Sequence, residues 1–246
     1  MQRLKIFFST LLLVIAVSAV AQTKVTDHFN KIIVSPYIQV TFVQGDEESV
    51  TINELYVDTS KLHIEVNDNT LRIYLEGAKD VPKNEKDYSN GYEQTHPLYQ
   101  KTSVVATVTY KTLEALSIRG EEAHLIKSPL NGDQFSLKIY GESEVVFNEL
   151  NLQTLSTTIY GESTLEIKSG DIKDQKYTCY GDSKVNSLAI NGNTGRIIAY
   201  GEADFKMNVA ERIKITSYGS TQLHYKGNPE IDKGLHFGDM VIDKMD

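Results

Sequence analysis

The sequence predicts an all-β fold built as a β-solenoid with coils of about 20 residues. Three observations carry that prediction. First, Tyr140-Gly141-Glu142-Ser143 recurs as Tyr160-Gly161-Glu162-Ser163, Tyr180-Gly181-Asp182-Ser183 and Tyr200-Gly201-Glu202-Ala203. Looser copies flank these at Arg119-Gly120-Glu121, Tyr218-Gly219-Ser220 and Phe237-Gly238-Asp239, so the glycines step by 21, 20, 20, 20, 18 and 19 residues. Second, polarity alternates around each glycine. Phe135, Leu137, Ile139, Gly141, Ser143, Val145 and Phe147 share one face, and Ser136, Lys138, Tyr140, Glu142 and Glu144 the other. That is the period of a half-buried strand, with no helical stripe competing. Third, turn formers separate the strands, at Asn131-Gly132-Asp133, Ser169-Gly170-Asp171 and Asn191-Gly192-Asn193. A meander of hairpins would reverse direction at each step and lose the constant phase of Tyr-Gly-acid.

Taken in order, residues 1–21 read as a secretory signal peptide. Arg3 and Lys5 form a basic start, Ile6 to Val17 an apolar core, and Ala19-Val20-Ala21 a small-x-small cleavage site. No cysteine follows that site, so a lipid anchor is not expected, and no later run has the length of a membrane span. Residues 22–246 are read as one β-solenoid domain. From Val25 to Leu75 the alternation persists without a strict repeat, as in Ile38, Val40 and Phe42 or Leu71, Ile73 and Leu75, with turns at Gly45-Asp46 and Asn67-Asp68-Asn69. Residues 76–102 are polar and carry two prolines, which predicts a long inserted loop, either an ordinary solvated excursion or, through Tyr88, Tyr92 and Tyr99, an adhesive surface. Val104, Ala106 and Val108 resume the strand pattern and lead into the regular repeats at 118–239.

In a solenoid, equivalent residues of successive coils stack about 4.8 Å apart. Ile118, Ile139, Ile159, Cys179, Ala199 and Ser217 then form one inward column, and Ser143, Ser163, Ser183, Ala203 and Thr221 another beside the glycines. Small residues there imply that two walls approach closely or that the strand bends at the glycine. The lone Cys179 can form no intrachain disulfide and, by its column, is a small buried apolar residue.

Charge excludes some partners. Arg3 and Lys5 are the only charges in residues 1–21, so the mature chain holds 23 basic and 33 acidic residues, a net −10. Nucleic acid and anionic membrane surfaces are not expected to bind it. Catalytic signatures are weak. The Gly-x-Ser units lack the second glycine of a nucleophile elbow, having Val145, Leu165 or Val185 in that place, and their serines face inward. His28, His63, His96, His124, His224 and His236 have no metal-ligand spacing, so no structural or catalytic zinc site is predicted.

Two outward ladders are the candidate site. Glu142, Glu162, Asp182 and Glu202 line one edge. Side chains about 5 Å apart there repel by roughly 1 kcal/mol even in water. They either splay into solvent near Lys138, Lys184 and Lys206, or share a divalent cation, Ca²⁺ being the one whose oxygen preference fits. Tyr140, Tyr160, Tyr180, Tyr200 and Tyr218 form the second ladder. It serves either as scaffold, through stacking, or as a binding strip whose rings cover apolar sugar faces while the acids accept hydroxyl protons.

The signal peptide, the early strands, the run Tyr110-Lys111-Thr112-Leu113-Glu114-Ala115-Leu116-Ser117-Ile118-Arg119-Gly120 and the recurring Gly-x-Ser units together resemble the auto-transporter adhesin, head GIN domain family of exported bacterial proteins, common in Bacteroidetes. The resemblance implies a right-handed parallel β-helix and an adhesin-like role in the periplasm, at the outer surface or outside the cell. A translocator barrel is not expected before Asp246, and the tyrosine ahead of each glycine is a feature of this chain. The reading is a non-enzymatic protein that recognises glycan or a cell-surface partner through the Tyr/acid ladders. The alternatives are a carbohydrate-active β-helix lyase or glycosidase, by fold analogy, and a purely structural envelope component. The enzyme reading gains if residues 76–102 fold over the acids to wall a cleft.

Overall fold

The computed structural model describes residues 22–89 and 92–246, and the signal peptide read from residues 1–21 lies outside them. The described chain is a β-solenoid. Seventeen strands belong to one continuous sheet and two more form a separate hairpin.

Each regular coil has a long and a short wall. Strand Leu130–Gly141 pairs in parallel with Leu150–Gly161, that strand with Gly170–Tyr180, and that one with the extended run Ser183–Lys226. The short walls Ala123–Ile126, Glu144–Phe147 and Thr164–Ile167 stack likewise. Register follows the sequence repeat. Ile118, Ile139, Ile159, Cys179 and Ala199 are successive partners, and so are Tyr140, Tyr160, Tyr180 and Tyr200. The inward columns are sealed: Phe135, Leu137, Ile139, Val145 and Phe147 are buried, as are Leu155, Ile159, Leu165 and Ile167 one coil on. Each such aliphatic or aromatic side chain contributes about 1.5–3 kcal/mol of transfer free energy, which fixes both register and face.

Column sizes compensate one another. As the Ile118 column shrinks to Ala199 and Ser217, Tyr177, Phe205 and Met207 fill the interior. Gly195 stands in the column of Phe135, Leu155 and Gln175, and a Cβ there would lie 2.9 Å from Met207 Cε. Gln175 Oε1 accepts hydrogen bonds from Tyr177 Oη at 3.0 Å and Ser187 Oγ at 2.9 Å, which offsets part of the cost of a polar side chain inside the core, while its Nε2 is buried without a partner among the described residues.

Two expectations about connections change. The Asn-Gly and Ser-Gly-Asp turns lie at or within strands, since Leu130–Gly141 and Gly170–Tyr180 run through or start at them. A solenoid corner needs a change of direction rather than a reversal. Side-chain amides then bond along the stack: Asn151 Nδ2 donates to Asn131 Oδ1 and Asn191 Nδ2 to Asp171 Oδ1, both at 2.9 Å. The second change concerns 76–102. It is not an irregular loop but contains a β-hairpin, Asn84–Ser89 paired antiparallel with Tyr92–Pro97. Tyr99, expected to be adhesive, is buried at the hairpin's foot, where its hydroxyl donates to the Glu76 carbonyl at 2.9 Å. The side chains of Tyr88 and Tyr92 are outside the described set.

The N-terminal end is closed differently. Lys31–Val34 and Ile38–Gln44 continue the parallel stack onto Ala115–Gly120 and Ala123–Ile126. Thr70–Leu75 and Val104–Tyr110 add one more parallel rung, and beyond that rung the direction switches. Leu62–Asn67 lies antiparallel on Thr70–Leu75 through a tight turn in which Asp68 and Asn69 have φ of 50° and 56°. Ser49–Leu55 lies antiparallel on Val104–Tyr110, and Gln22–Val25 on Ser49–Leu55.

Candidate functional site

Glycine shapes the corner that carries the candidate residues. Gly120, Gly141, Gly161, Gly181, Gly201, Gly219 and Gly238 all have φ between 99° and 134°, where a side chain is strained. The bend is what allows Tyr before the glycine and the acid after it to sit on two adjoining walls. Serines close its inner side. Ser143 Oγ donates to the Gly120 carbonyl and Ser163 Oγ to the Gly141 carbonyl, both at 2.9 Å. The same carbonyls accept the backbone N–H of Glu142 and of Glu162 at 3.0 Å.

The tyrosines form a face-to-face stack. Ring centroids are 5.0, 4.8, 4.9 and 5.1 Å apart from Tyr140 through Tyr160, Tyr180 and Tyr200 to Tyr218, with interplanar angles of 3° to 6°. Phe237 extends the column at 5.5 Å, a rung that the Phe-Gly-Asp copy in the sequence already marked. At the other end the Arg119 guanidinium lies 5.4 Å from the Tyr140 ring, a cation–π cap. The rings therefore cover one another. Tyr160, Tyr180 and Tyr200 are 41%, 38% and 40% exposed, and what they present is ring edges and hydroxyls, not free faces for a sugar to stack on.

Glu142, Glu162, Asp182 and Glu202 are exposed, as is Glu121 ahead of them. Glu162, Asp182 and Glu202 share a groove of about 480 Å³ with Lys184 and Asp204, and no tyrosine lines it. Asp204 Oδ1 is buried there without a hydrogen-bond partner among the described residues. Among the described residues no group of three His, Cys, Asp or Glu is placed to hold a metal ion, and no helix is long and apolar enough to cross a membrane.

Tyrosine and acid meet in one cleft at the first rung, about 780 Å³, where Tyr140 and Glu142 face Asp80, Val81 and Pro82 at the root of the hairpin and Gln100, Lys101 and Thr102 beyond it. Tyr37 and Glu122 also line it. Sequence reasoning missed both. Glu122 was findable: it takes the place two residues after the glycine that Ser143, Ser163 and Ser183 take in later coils. Tyr37, at φ 70°, carries no local sequence signal. Burial raises the Glu122 carboxyl above the usual range, opposed by backbone N–H donors, one of which is Glu121 N at 3.1 Å. Asp80 is held below the usual carboxylate range by hydrogen bonding to Arg72 and, more weakly, to Arg119.

Comparison with known proteins places this architecture. The family described as Putative auto-transporter adhesin, head GIN domain matches residues 28–229. A crystal structure of a putative adhesin from Bacteroides fragilis NCTC 9343 superposes with a TM-score of 0.72 at 19% identity, over 92% of this chain and 96% of that one. A putative adhesin from Parabacteroides merdae ATCC 43184 gives 0.64 at 18%, over 92% and 96%. A protein from Parabacteroides distasonis ATCC 8503 described as a putative lipid binding protein gives 0.62 at 19%, over 93% and 98%. At such identities the likeness concerns the fold. No match was found among curated proteins.

Proposed function

We propose that this chain, which belongs to the auto-transporter adhesin, head GIN domain family, is an exported, non-enzymatic binding protein whose contact face is the Tyr ladder with its adjoining acids. The partner is a polyhydroxylated polymer, a glycan on a cell surface or in a matrix. What carries the reading is the order of the ladder. Six stacked rings, from Tyr140 to Phe237, hold a line of edges and five hydroxyls on a rigid sheet. A rigid face is preorganised, so little side-chain entropy is lost on binding. The hydroxyls and the carboxylates of Glu142, Glu162, Asp182 and Glu202 repeat once per coil, which suits a ligand that also repeats hydroxyl groups. Binding of this kind is edge-on and hydrogen-bonded, unlike the ring-face stacking expected from the sequence. The family's adhesin description supports binding rather than catalysis.

The test is a glycan array with the chain from residue 22 onward, with and without calcium, against a variant with Tyr160, Tyr180 and Tyr200 all changed to Phe. Phenylalanine keeps the stack and removes the hydroxyls, so the variant should fold, as circular dichroism would verify. Loss of glycan binding in the variant supports the edge-on strip. Equal binding by both proteins removes the ladder from the contact face. A calcium requirement would move the acids from hydrogen-bond acceptors to cation ligands.

A further inference from the structure

The cleft at the first rung is different in kind from the strip. The strip is an open edge, whereas the cleft has apolar walls and a polar floor of converging groups, the usual form of a small-molecule site. Pro36, Tyr37, Val81 and Pro82 provide the walls. Val81 is 78% exposed at the lip. One wall belongs to the solenoid and the other to the hairpin root, and Asp80 ties them. Its carboxylate bridges Arg72, at 2.5 Å, and Arg119, which is the same guanidinium that caps Tyr140. Cleft width is thereby set by charged contacts rather than by a loose loop.

The cleft's polar groups are available except Glu122, whose carboxyl already accepts backbone N–H groups, Glu121 N at 3.1 Å among them. Glu122, only 7% exposed, lies at the base. The Tyr37 hydroxyl, the Lys101 ammonium and the Glu121 and Glu142 carboxylates make no hydrogen bond to any described residue. With Arg119 engaged by Asp80, Lys101 is the remaining cation against Glu121, Glu122 and Glu142. The balance favours a neutral or cationic ligand and opposes an anion. Apolar walls with carboxylates and a hydroxyl between them match a sugar ring, whose C–H faces are apolar and whose rim donates protons. A volume of about 780 Å³ admits a monosaccharide or disaccharide. The cleft is continuous with the strip through Tyr140 and Glu142.

The geometry points to a terminal subsite in this cleft that takes the end unit of a neutral or amino-sugar chain and rejects sugar acids. This rests on the reading of the strip as a sugar-polymer contact face, but it makes a separate claim about a single unit. Glu121 and Tyr37 are the specificity groups. The carboxylate of Glu121 accepts hydroxyl or ammonium protons, and the neighbouring Tyr37 hydroxyl, on the same solenoid wall, supplies a donor.

The experiment is a titration of the chain from residue 22 onward, carrying ¹³C-labelled valine methyl groups, followed by NMR. Glucose, galactose, mannose, glucosamine, galactosamine and glucuronate are the probes. Val81 is the local reporter, assigned by Val81→Ile. At least one neutral or amino sugar should shift the Val81 methyls saturably, with glucuronate ~10-fold weaker or silent. The Glu121→Gln and Tyr37→Phe variants should each weaken that sugar by about 10-fold, the order of one hydrogen bond to a charged group. Lys173→Gln, at an exposed position that lines neither the cleft nor the strip, should leave it unchanged. The inference is overturned if no sugar moves Val81, if glucuronate binds as well as glucosamine, or if both cleft variants bind like the parent. Polymer binding that depends on the strip tyrosines while Val81 stays silent sinks the cleft alone. Sugar binding at Val81 without any polymer binding leaves the cleft and removes the strip.

Discussion

Gly161 lies directly over Gly141, and a Cβ placed on it would fall 2.2 Å from the Gly141 carbonyl oxygen. Its φ of 118° adds a conformation that other residues rarely adopt. The clash is with backbone that also accepts the Glu162 N–H and the Ser163 hydroxyl, so it cannot swing aside cheaply. Gly161→Ala is therefore expected to destabilise the fold by about 3 kcal/mol or more. Gly181→Ala meets the Gly161 carbonyl at 2.9 Å and should cost less. Urea unfolding of the two variants beside the parent checks both the size and the order.

The interior should be sensitive to mild acid through His124. This imidazole is 2% exposed and neither nitrogen has a hydrogen-bond partner among the described residues. It occupies the column of Val145 and Leu165, against Phe42. Burial holds its pKa down to about 3, from 6.5. The unfolded chain therefore takes up a proton below pH 6.5 that the folded chain refuses until about pH 3. Stability from this site is complete above pH 6.5 and falls as pH drops through that window, by about 2 kcal/mol at pH 5. His124→Leu should remove this part of the acid dependence. Unfolding curves at pH 7 and pH 5 that fall in parallel for the two proteins would refute the assignment.

Stacking in the ladder should be measurable apart from binding. Tyr180 lies 4.8 Å from Tyr160 and 4.9 Å from Tyr200, nearly parallel to both. Tyr180→Ala removes two ring pairs and is expected to cost about 1–3 kcal/mol. Tyr180→Phe should stay within about 0.5 kcal/mol of the parent. A loss below that level in the alanine variant would mean that the sheet, not the ladder, holds the coil in register.

Cys179 should be inert in the native protein. It is fully buried, and burial pushes its thiol up to about 12, far from the thiolate that reacts. Labelling by a thiol reagent at pH 8 is expected only as fast as the chain unfolds. Prompt labelling without denaturant would show that the coil around it opens locally.

The solenoid was legible in the sequence because its physical cause is local and repeated. Alternation with period two at Phe135–Phe147 and Leu155–Ile167 decides which side chains are buried, and the constant Tyr-Gly-acid phase decides register. Both columns read from the sequence, through Ile139 and through Ser143, are buried as expected. Even Cys179 follows from its column. The hairpin within 76–102 was less legible. The pairing of Asn84–Ser89 with Tyr92–Pro97 has no apolar face to mark it, because it folds outside the core.

The sequence by itself determined the repeat, the inward and outward faces and the residues of both ladders, since each depends on neighbours at fixed steps along the chain. Only the tertiary structure decided how those ladders meet their surroundings. Ring orientation is a property of stacked coils, so the consumption of the tyrosine faces by one another could not be read from spacing. The bend at each glycine set the acids on a wall adjoining the rings, so that Glu162, Asp182 and Glu202 share a groove of their own while Tyr140 and Glu142 line one cleft. The cleft joins Tyr37, Asp80, Lys101, Glu122 and Tyr140, which are far apart in sequence and follow no common period. Periodicity reports contacts between equivalent positions. A site assembled from inequivalent ones appears only when the chain has folded.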